Sequence, residues 1–430
     1  MPAKILRSND REVKIEITVL LGDDMLENEL AIQKAVNEAG ALATGSSLER
    51  FDTDGSVIEV AGRRLHPKKL NGEYKQPKTY QTPYGPVGIS RYVYQGSGGG
   101  KSYCPLENAA RTIGTSTPML AKQVSGKYSR MGGPETVEDF REHGRELHKS
   151  FVQSLAECVA DIADLKAESW NYHTPRLEEP VRAVTIGVDG GCASFRDEGW
   201  REVMVGTIAL YGFGGDRLHT IYVASAPEHG KKQFFERMEF EIAHVKELYP
   251  FATYIGLSDG AGDHWTFLEK HTEVQTLDFF HAGEYLGLAS KALYPGARQL
   301  EEKQQWLEEQ CHRLKHKKGA ASRIKKALEQ GIGEVRTKAQ REDLQKAATY
   351  FSNQKHRMKY SEMVDKGLPI GSGVTEAGCK VIIKQRLCQA GMRWKEKGCA
   401  SVLRLRALNR TEGRWEQFWQ KISRYGIPTR

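Results

Sequence analysis

The sequence predicts an α/β protein with a mixed sheet at its centre and helical regions around it. Three observations carry that prediction. Residues 181–188, VRAVTIGV, are almost continuously apolar, as in a strand buried on both faces. Two β-rich stretches follow at short intervals, and strand and helix patterns then alternate to residue 293. Residues 298–366 are charged and poor in β-branched residues, which predicts helices inserted into that alternation.

The elements follow in chain order. Residues 13–21, VKIEITVLL, alternate and predict a strand; residues 25–44 predict a helix with Met25, Leu26, Leu30, Ile32, Val36 and Leu42 as its apolar positions. Residues 79–94 predict a hairpin around Pro83-Tyr84-Gly85-Pro86, and the Gly/Ser tract at 96–100 predicts a break in regular structure. Residues 106–170 are helical in pattern, with a turn at Gly132-Gly133-Pro134. Helix, turn, helix suits a DNA reader, although an ordinary helical hairpin has the same pattern. NYHTPRLEEP at 171–180 has the character of a linker.

Beyond it, strands are predicted at 181–188, 202–211, 218–225, 253–258 and 273–279, with helices at 228–248, 262–270 and 281–293. Three strands, helix, strand, helix, strand, helix is the order of an RNase H-like core. A final core helix is predicted to start in GLPIGSGVTEAGCK, after the insertion. The expected divisions are therefore 1–95, an α+β region; 96–180, a helical DNA-binding region with its linker; 181–297, the first part of the core; 298–366, the helical insertion; and 367–430, the final core helix with basic C-terminal helices.

Composition narrows the function classes. The 430 residues are 39% hydrophobic and 27% charged, which excludes a wholly disordered or fibrous chain. No apolar run approaches the ~18 residues that a membrane helix needs, so no membrane partner is expected. The N-terminal stretch lacks an apolar signal core, and seven Cys without CxxC spacing suit reduced thiols; a cytoplasmic location is expected. The net charge of +8 is unevenly spread, because residues 366–430 hold 14 Lys+Arg against 4 Asp+Glu. A second run, 311–326, holds seven Lys/Arg and no acid. Either run alone is an ordinary solvated helix face, but two together point to a polyanion such as DNA.

Three acids stand where the predicted topology can use them. Asp189 ends the first core strand, Asp259 follows the fourth after 70 residues, and Glu376 lies in the first turn of the final helix, 117 residues further on. Ligands of open α/β sheets bind at the carboxyl ends of strands. Cleavage of a phosphodiester by two divalent ions about 3.5–4 Å apart needs hard oxygen ligands of this kind.

These residues also carry a family resemblance. GVDGG, SDGAGDHW, DFFHAGEYL, LPIGSGVTEAGCK, QRLCQAGMRW and LRLRALNRTEGRWEQFW resemble DDE transposases of bacterial insertion sequences, nearest to the ISKra-type family within the Mutator-like assemblage. The resemblance covers roughly residues 79–425. It implies an RNase H-like catalytic core and two Mg²⁺ ions, with Mn²⁺ as a substitute, held by Asp189, Asp259 and Glu376. It further implies cleavage and strand transfer at the terminal inverted repeats of a mobile element, joining to target DNA, and a homodimer or higher oligomer on DNA. The family's C/DxxH motif matches Asp278 and His281, expected to support the acids. Asp263 is an extra acid near the second position, and Asp259 is preferred because it ends the strand. Two rival functions remain: a metal-dependent nuclease or resolvase that cuts without joining, and a non-enzymatic DNA-binding protein derived from a transposase.

The basic residues expected to contact phosphate are Lys315, Lys317 and Lys318 in the insertion, with Lys380, Lys384, Arg386 and Arg393 after Glu376. Lys380 and Lys384 follow Glu376 at helical spacing, on one face. Trp394, Trp415 and Trp419 recur amid Leu and Phe, which predicts core packing. Two other motifs fail. GSGGGKS at 96–102 lacks the first glycine of a phosphate-binding loop, since Gln95 stands there. Cys311, His312 and His316 lack the second Cys pair of a zinc site.

Overall fold

The structure, a computed structural model, describes residues 2–167, 169–228, 231–260 and 262–427. The chain folds as two compact units. One comprises Met1–Trp170 with Arg404–Asn409 and Arg414–Arg430; the other comprises Asn171–Leu403 with Arg410–Gly413. The stretch expected as one C-terminal segment, 367–430, is thus shared between them.

The first unit is α+β. A long helix, Met25–Glu49, is capped by the Asp24 side chain, which accepts from the Glu27 backbone N–H. The expected hairpin forms from Lys75–Gln81 and Pro86–Tyr92. The Gly/Ser tract differs from expectation: Tyr94–Gly96 and Gly99–Tyr103 pair across it, because Gly99 and Gly100 supply the positive φ a tight turn needs. Helices Pro118–Arg130, Gly133–Glu142 and Lys149–Leu165 complete the region. Rings of Trp415, Phe418 and Trp419 pack together, which agrees with core use of the last two tryptophans.

The second unit is a mixed α/β layer structure. Its strands are β1 (Ala183–Phe195), β2 (Gly199–Tyr211), β3 (Arg217–Ser225), β4 (Thr253–Ser258) and β5 (Val274–Leu277), in the spatial order β3-β2-β1-β4-β5. The β1–β2 and β2–β3 pairs are antiparallel; β1–β4 and β4–β5 are parallel. Helices α1 (Lys232–Leu248), α2 (Gly262–His271) and α3 (Phe279–Leu293) make the connections. The insertion supplies α4 (Leu300–His316), α5 (Ala320–Glu334), α6 (Lys338–Gln354) and α7 (Tyr360–Asp365). Thr337 and Gln340 close a capping box at the start of α6, and Gly319 takes a left-handed turn between α4 and α5.

Both faces of β1 are covered, which accounts for its apolar run. Val184, Ile186 and Val188 pack into the large core with Phe234, Met238 and Leu268. Thr185, Gly187 and Asp189 alternate onto the opposite face, where α8 (Gly373–Cys379) lies. The helix sits unusually close. A Cβ at Gly187 would stand 2.0 Å from Thr375 Oγ1, one at Gly191 3.0 Å from Ile383, and one at Gly378 3.1 Å from Thr207. Thr375 and Thr207 share a hydrogen bond of 2.7 Å beneath the helix. A step of two along β1 therefore matches a step of four along the helix, at 187/375, 189/379 and 191/383. Beyond Cys379 the helix widens into a π turn over Lys380–Lys384 and closes with Gln385–Leu387. That turn interrupts the α-helical register on which Lys384 was expected to share the face of Glu376.

Gly187→Ala should cost about 1–3 kcal/mol in urea unfolding, because Thr375 and its bond to Thr207 must move. Gly283→Ala, in α3 with open space around it, should instead stabilise by about 0.5–1 kcal/mol.

Candidate active site

The parallel ladder joins Ala183 to Thr253 and continues to Gly187 with Leu257, a constant offset of 70 residues. Asp189 and Asp259 differ by the same offset, each two residues past the last rung of that ladder. Asp259 directly follows β4, but β1 runs on to Phe195, so Asp189 lies within its strand and does not end it as expected, because β1 continues its antiparallel pairing with β2. Gly260, with φ of +123°, turns the chain immediately after Asp259.

Each aspartate is held by neighbours. Asp189 is half-buried; its Oδ1 accepts from the Gly190 backbone N–H at 2.7 Å, and its Oδ2 accepts from the Cys379 thiol at 3.3 Å. Burial, and then the negative charge of Asp189, push the Cys379 thiol well above its ordinary range, with a further contribution from Glu376. The thiol thus stays protonated and donates. Asp259 Oδ1 accepts from the Ser258 hydroxyl at 3.2 Å, while its backbone carbonyl accepts from the Tyr350 hydroxyl of the insertion at 3.0 Å. Glu376 is exposed, in the first turn of α8, one position after Thr375 and three before Cys379.

Asp278 is fully buried and holds two elements together. Its Oδ1 accepts from the His281 backbone N–H at 2.8 Å, capping α3, and its Oδ2 accepts from the Ser372 backbone N–H at the start of α8. It is a positioning residue that ties the end of β5 to the helix bearing Glu376. The His281 ring pairs along the helix with Glu284 at 3.0 Å.

Asp263 is distinguished from Asp259 by its partner. Lys231 Nζ bridges Asp263 at 2.9 Å and Glu202 at 3.0 Å. Burial alone would raise the Asp263 pKa, but the bond and charge of Lys231 outweigh it and hold the carboxyl below its ordinary value. Asp263 is therefore already neutralised by a lysine.

The basic residues divide. Lys317, Lys318, Lys380, Lys384 and Arg393 are exposed and Lys315 is partly so. Arg386 corrects an expectation: it is 1% exposed, with its guanidinium 5.2 Å from the Trp394 ring centre, so it packs inside and offers nothing to a phosphate. The apolar neighbours Ile382, Ile383 and Leu387 signal a buried face here. Trp394 Nε1 donates to the Leu387 carbonyl, a packing role. Cys379, Lys231 and Tyr350 went unnoticed in the sequence. Only Cys379 carried a signal, four residues after Thr375 on the sheet-facing side of the helix.

The carboxylates suit a hard divalent cation in donor type and in strand position. Among the described residues, however, no three His, Cys, Asp or Glu side chains gather closely enough to hold an ion. Asp189, Asp259 and Glu376 thus come from three neighbouring elements without closing into a ligand cage. Searches of known families and curated proteins found no match to the sequence. What fold and site define is a class: a mixed α/β protein with two aspartates just past the parallel β1–β4 ladder of its sheet.

Asp278→Asn should destabilise the protein by about 1–3 kcal/mol in chemical unfolding, since the amide can answer only one of the two backbone donors. Asp259→Asn, at a partly exposed position, should change stability by less than about 0.5 kcal/mol in the same measurement.

Proposed function

We propose that the protein is a DDE-type DNA transposase on an RNase H-like core, cleaving the ends of a mobile DNA element and joining them to target DNA. The observation that carries the reading is the shared 70-residue offset: Asp189 and Asp259 each lie two residues past the last rung of the parallel β1–β4 ladder, and α8, bearing Glu376, packs on the face of β1 that carries Asp189. The strand order β3-β2-β1-β4-β5, with antiparallel pairs first and parallel pairs after, agrees with such a core. The arrival of α8 after an inserted group of helices agrees with the wide separation of the third acid.

On this reading, Asp189, Asp259 and Glu376 would hold Mg²⁺ or Mn²⁺, which would supply Lewis-acid activation of the attacking and leaving oxygens. The chain's own residues do the rest. Cys379 and the Gly190 N–H hold the Asp189 carboxylate in one orientation, and Asp278 fixes the start of the helix that carries Glu376. The exposed Lys380, Lys384 and Arg393 offset phosphate charge along the DNA, with Lys315, Lys317 and Lys318 as a second basic stretch. Coordinated joining of two ends calls for two or more copies of the chain.

A strand-transfer assay with matched terminal repeats and Mg²⁺ tests the proposal. Asp189→Asn, Asp259→Asn and Glu376→Gln should each lower cleavage and joining by more than about 100-fold while DNA affinity is retained. Asp263→Asn should keep most activity. Cutting without joining by the unaltered protein would favour a nuclease; full strand transfer by Glu376→Gln would remove the third acid from the site.

A further inference from the structure

The extension of β1 and β2 beyond the acids forms a second feature that the three carboxylates do not use. Past Asp189 the two strands run on as a ladder to Phe195 and Gly199, where Trp200 pairs with Ser194. The indole of Trp200 is 68% exposed, an uncommon state for so large an apolar ring. It lines a half-open cleft of about 310 Å³, walled opposite by Gln389, Met392 and Arg393 from the loop after the π turn. Trp394 joins that loop to the strand, its N–H donating to the Ser194 carbonyl at 2.9 Å and its carbonyl accepting from Arg196 at 2.9 Å. The wall is therefore built on the same strand and the same helix as the acid site. Five residues of strand separate Asp189 from Ser194, about 17 Å at the rise of a β-strand.

We propose that this cleft binds one unpaired nucleobase of the DNA, stacked on Trp200, with Arg393 on its phosphate and Gln389 at its edge. This rests on the nucleic-acid reading above. The volume is at the low end for a single small ligand, which suits one base and excludes a duplex. An indole face takes any base without reading its sequence, and a guanidinium beside it supplies the counter-charge. The four side chains differ in chemistry, and the combination of flat ring, amide and cation matches a nucleotide's ring, edge and phosphate. Because the cleft shares strand and helix with the acids, the base it holds stands about 17 Å along β1 from Asp189, within reach of a strand separated from its partner.

The test compares the full-length protein on a blunt duplex and on the same duplex carrying a short single-stranded extension with 2-aminopurine in it. Binding of the blunt duplex is measured first, by anisotropy, and reads the nucleic-acid proposal by itself; no binding there would overturn both. Given binding, the extended duplex should bind about 10-fold more tightly, with quenching of 2-aminopurine fluorescence. Trp200→Ala should abolish both the advantage and the quenching while blunt-duplex affinity stays unchanged. Trp200→Phe should restore most of the effect. Equal affinity for the two duplexes, or quenching that persists in Trp200→Ala, would overturn the cleft's assignment. So would displacement of the extension by an unrelated acidic peptide at the same concentration, which would mark a peptide groove.

Discussion

The candidate site depends on how closely one helix lies on one sheet. At Gly187 and Gly378 there is no side chain to hold the layers apart, and Thr375 fills the space with a hydroxyl that Thr207 satisfies. A buried hydroxyl without a partner costs free energy, so this pair fixes the helix in rotation as well as in distance. With rotation fixed, Cys379 falls on Asp189 and Glu376 falls to the flank of the same helix. A larger residue at position 187 would lift the helix and break the contact of Cys379 with Asp189.

Three further contacts hold the remaining parts to that layer. Asp278 accepts from both the start of α3 and the start of α8, so the end of β5 cannot shift without moving the helix of Glu376. Tyr350 reaches from the insertion to the carbonyl of Asp259, and Arg357, just beyond α6, pairs with Glu269 of α2 at 2.7 Å. The insertion therefore braces the second acid in addition to lengthening the chain before the third. Lys231 satisfies Asp263 and Glu202 on the strand face opposite α8, and neither Asp189 nor Asp259 shares that lysine.

Much of the sheet was legible in the sequence, because burial on both faces writes long apolar runs. The strand at 253–258 is found where it was expected, and the 70-residue spacing of the two aspartates equals the offset of the β1–β4 ladder that ends two residues before them. The ends of β1 and β2 were not legible. Their polar, half-exposed extension past Asp189 lacks the apolar signal, yet it bears Trp200. The Gly/Ser tract hid a hairpin because glycine marks both loops and tight turns. Arg386 misled through its charge: its aliphatic stem and planar head can stack on an indole, and residue type alone cannot show that. The thiol of Cys379 was invisible for a related reason, since a cysteine's role depends on what faces it across the layer.

The central claim is that Asp189, Asp259 and Glu376 act as one divalent-cation site. Titration of the full-length protein with Mn²⁺, followed by electron paramagnetic resonance of the free ion, tests it without DNA or turnover. The account predicts saturable binding that is weakened at least about 10-fold by Asp189→Asn and equally by Glu376→Gln, with Asp263→Asn unchanged. Binding by Glu376→Gln that matches the unaltered protein would contradict it.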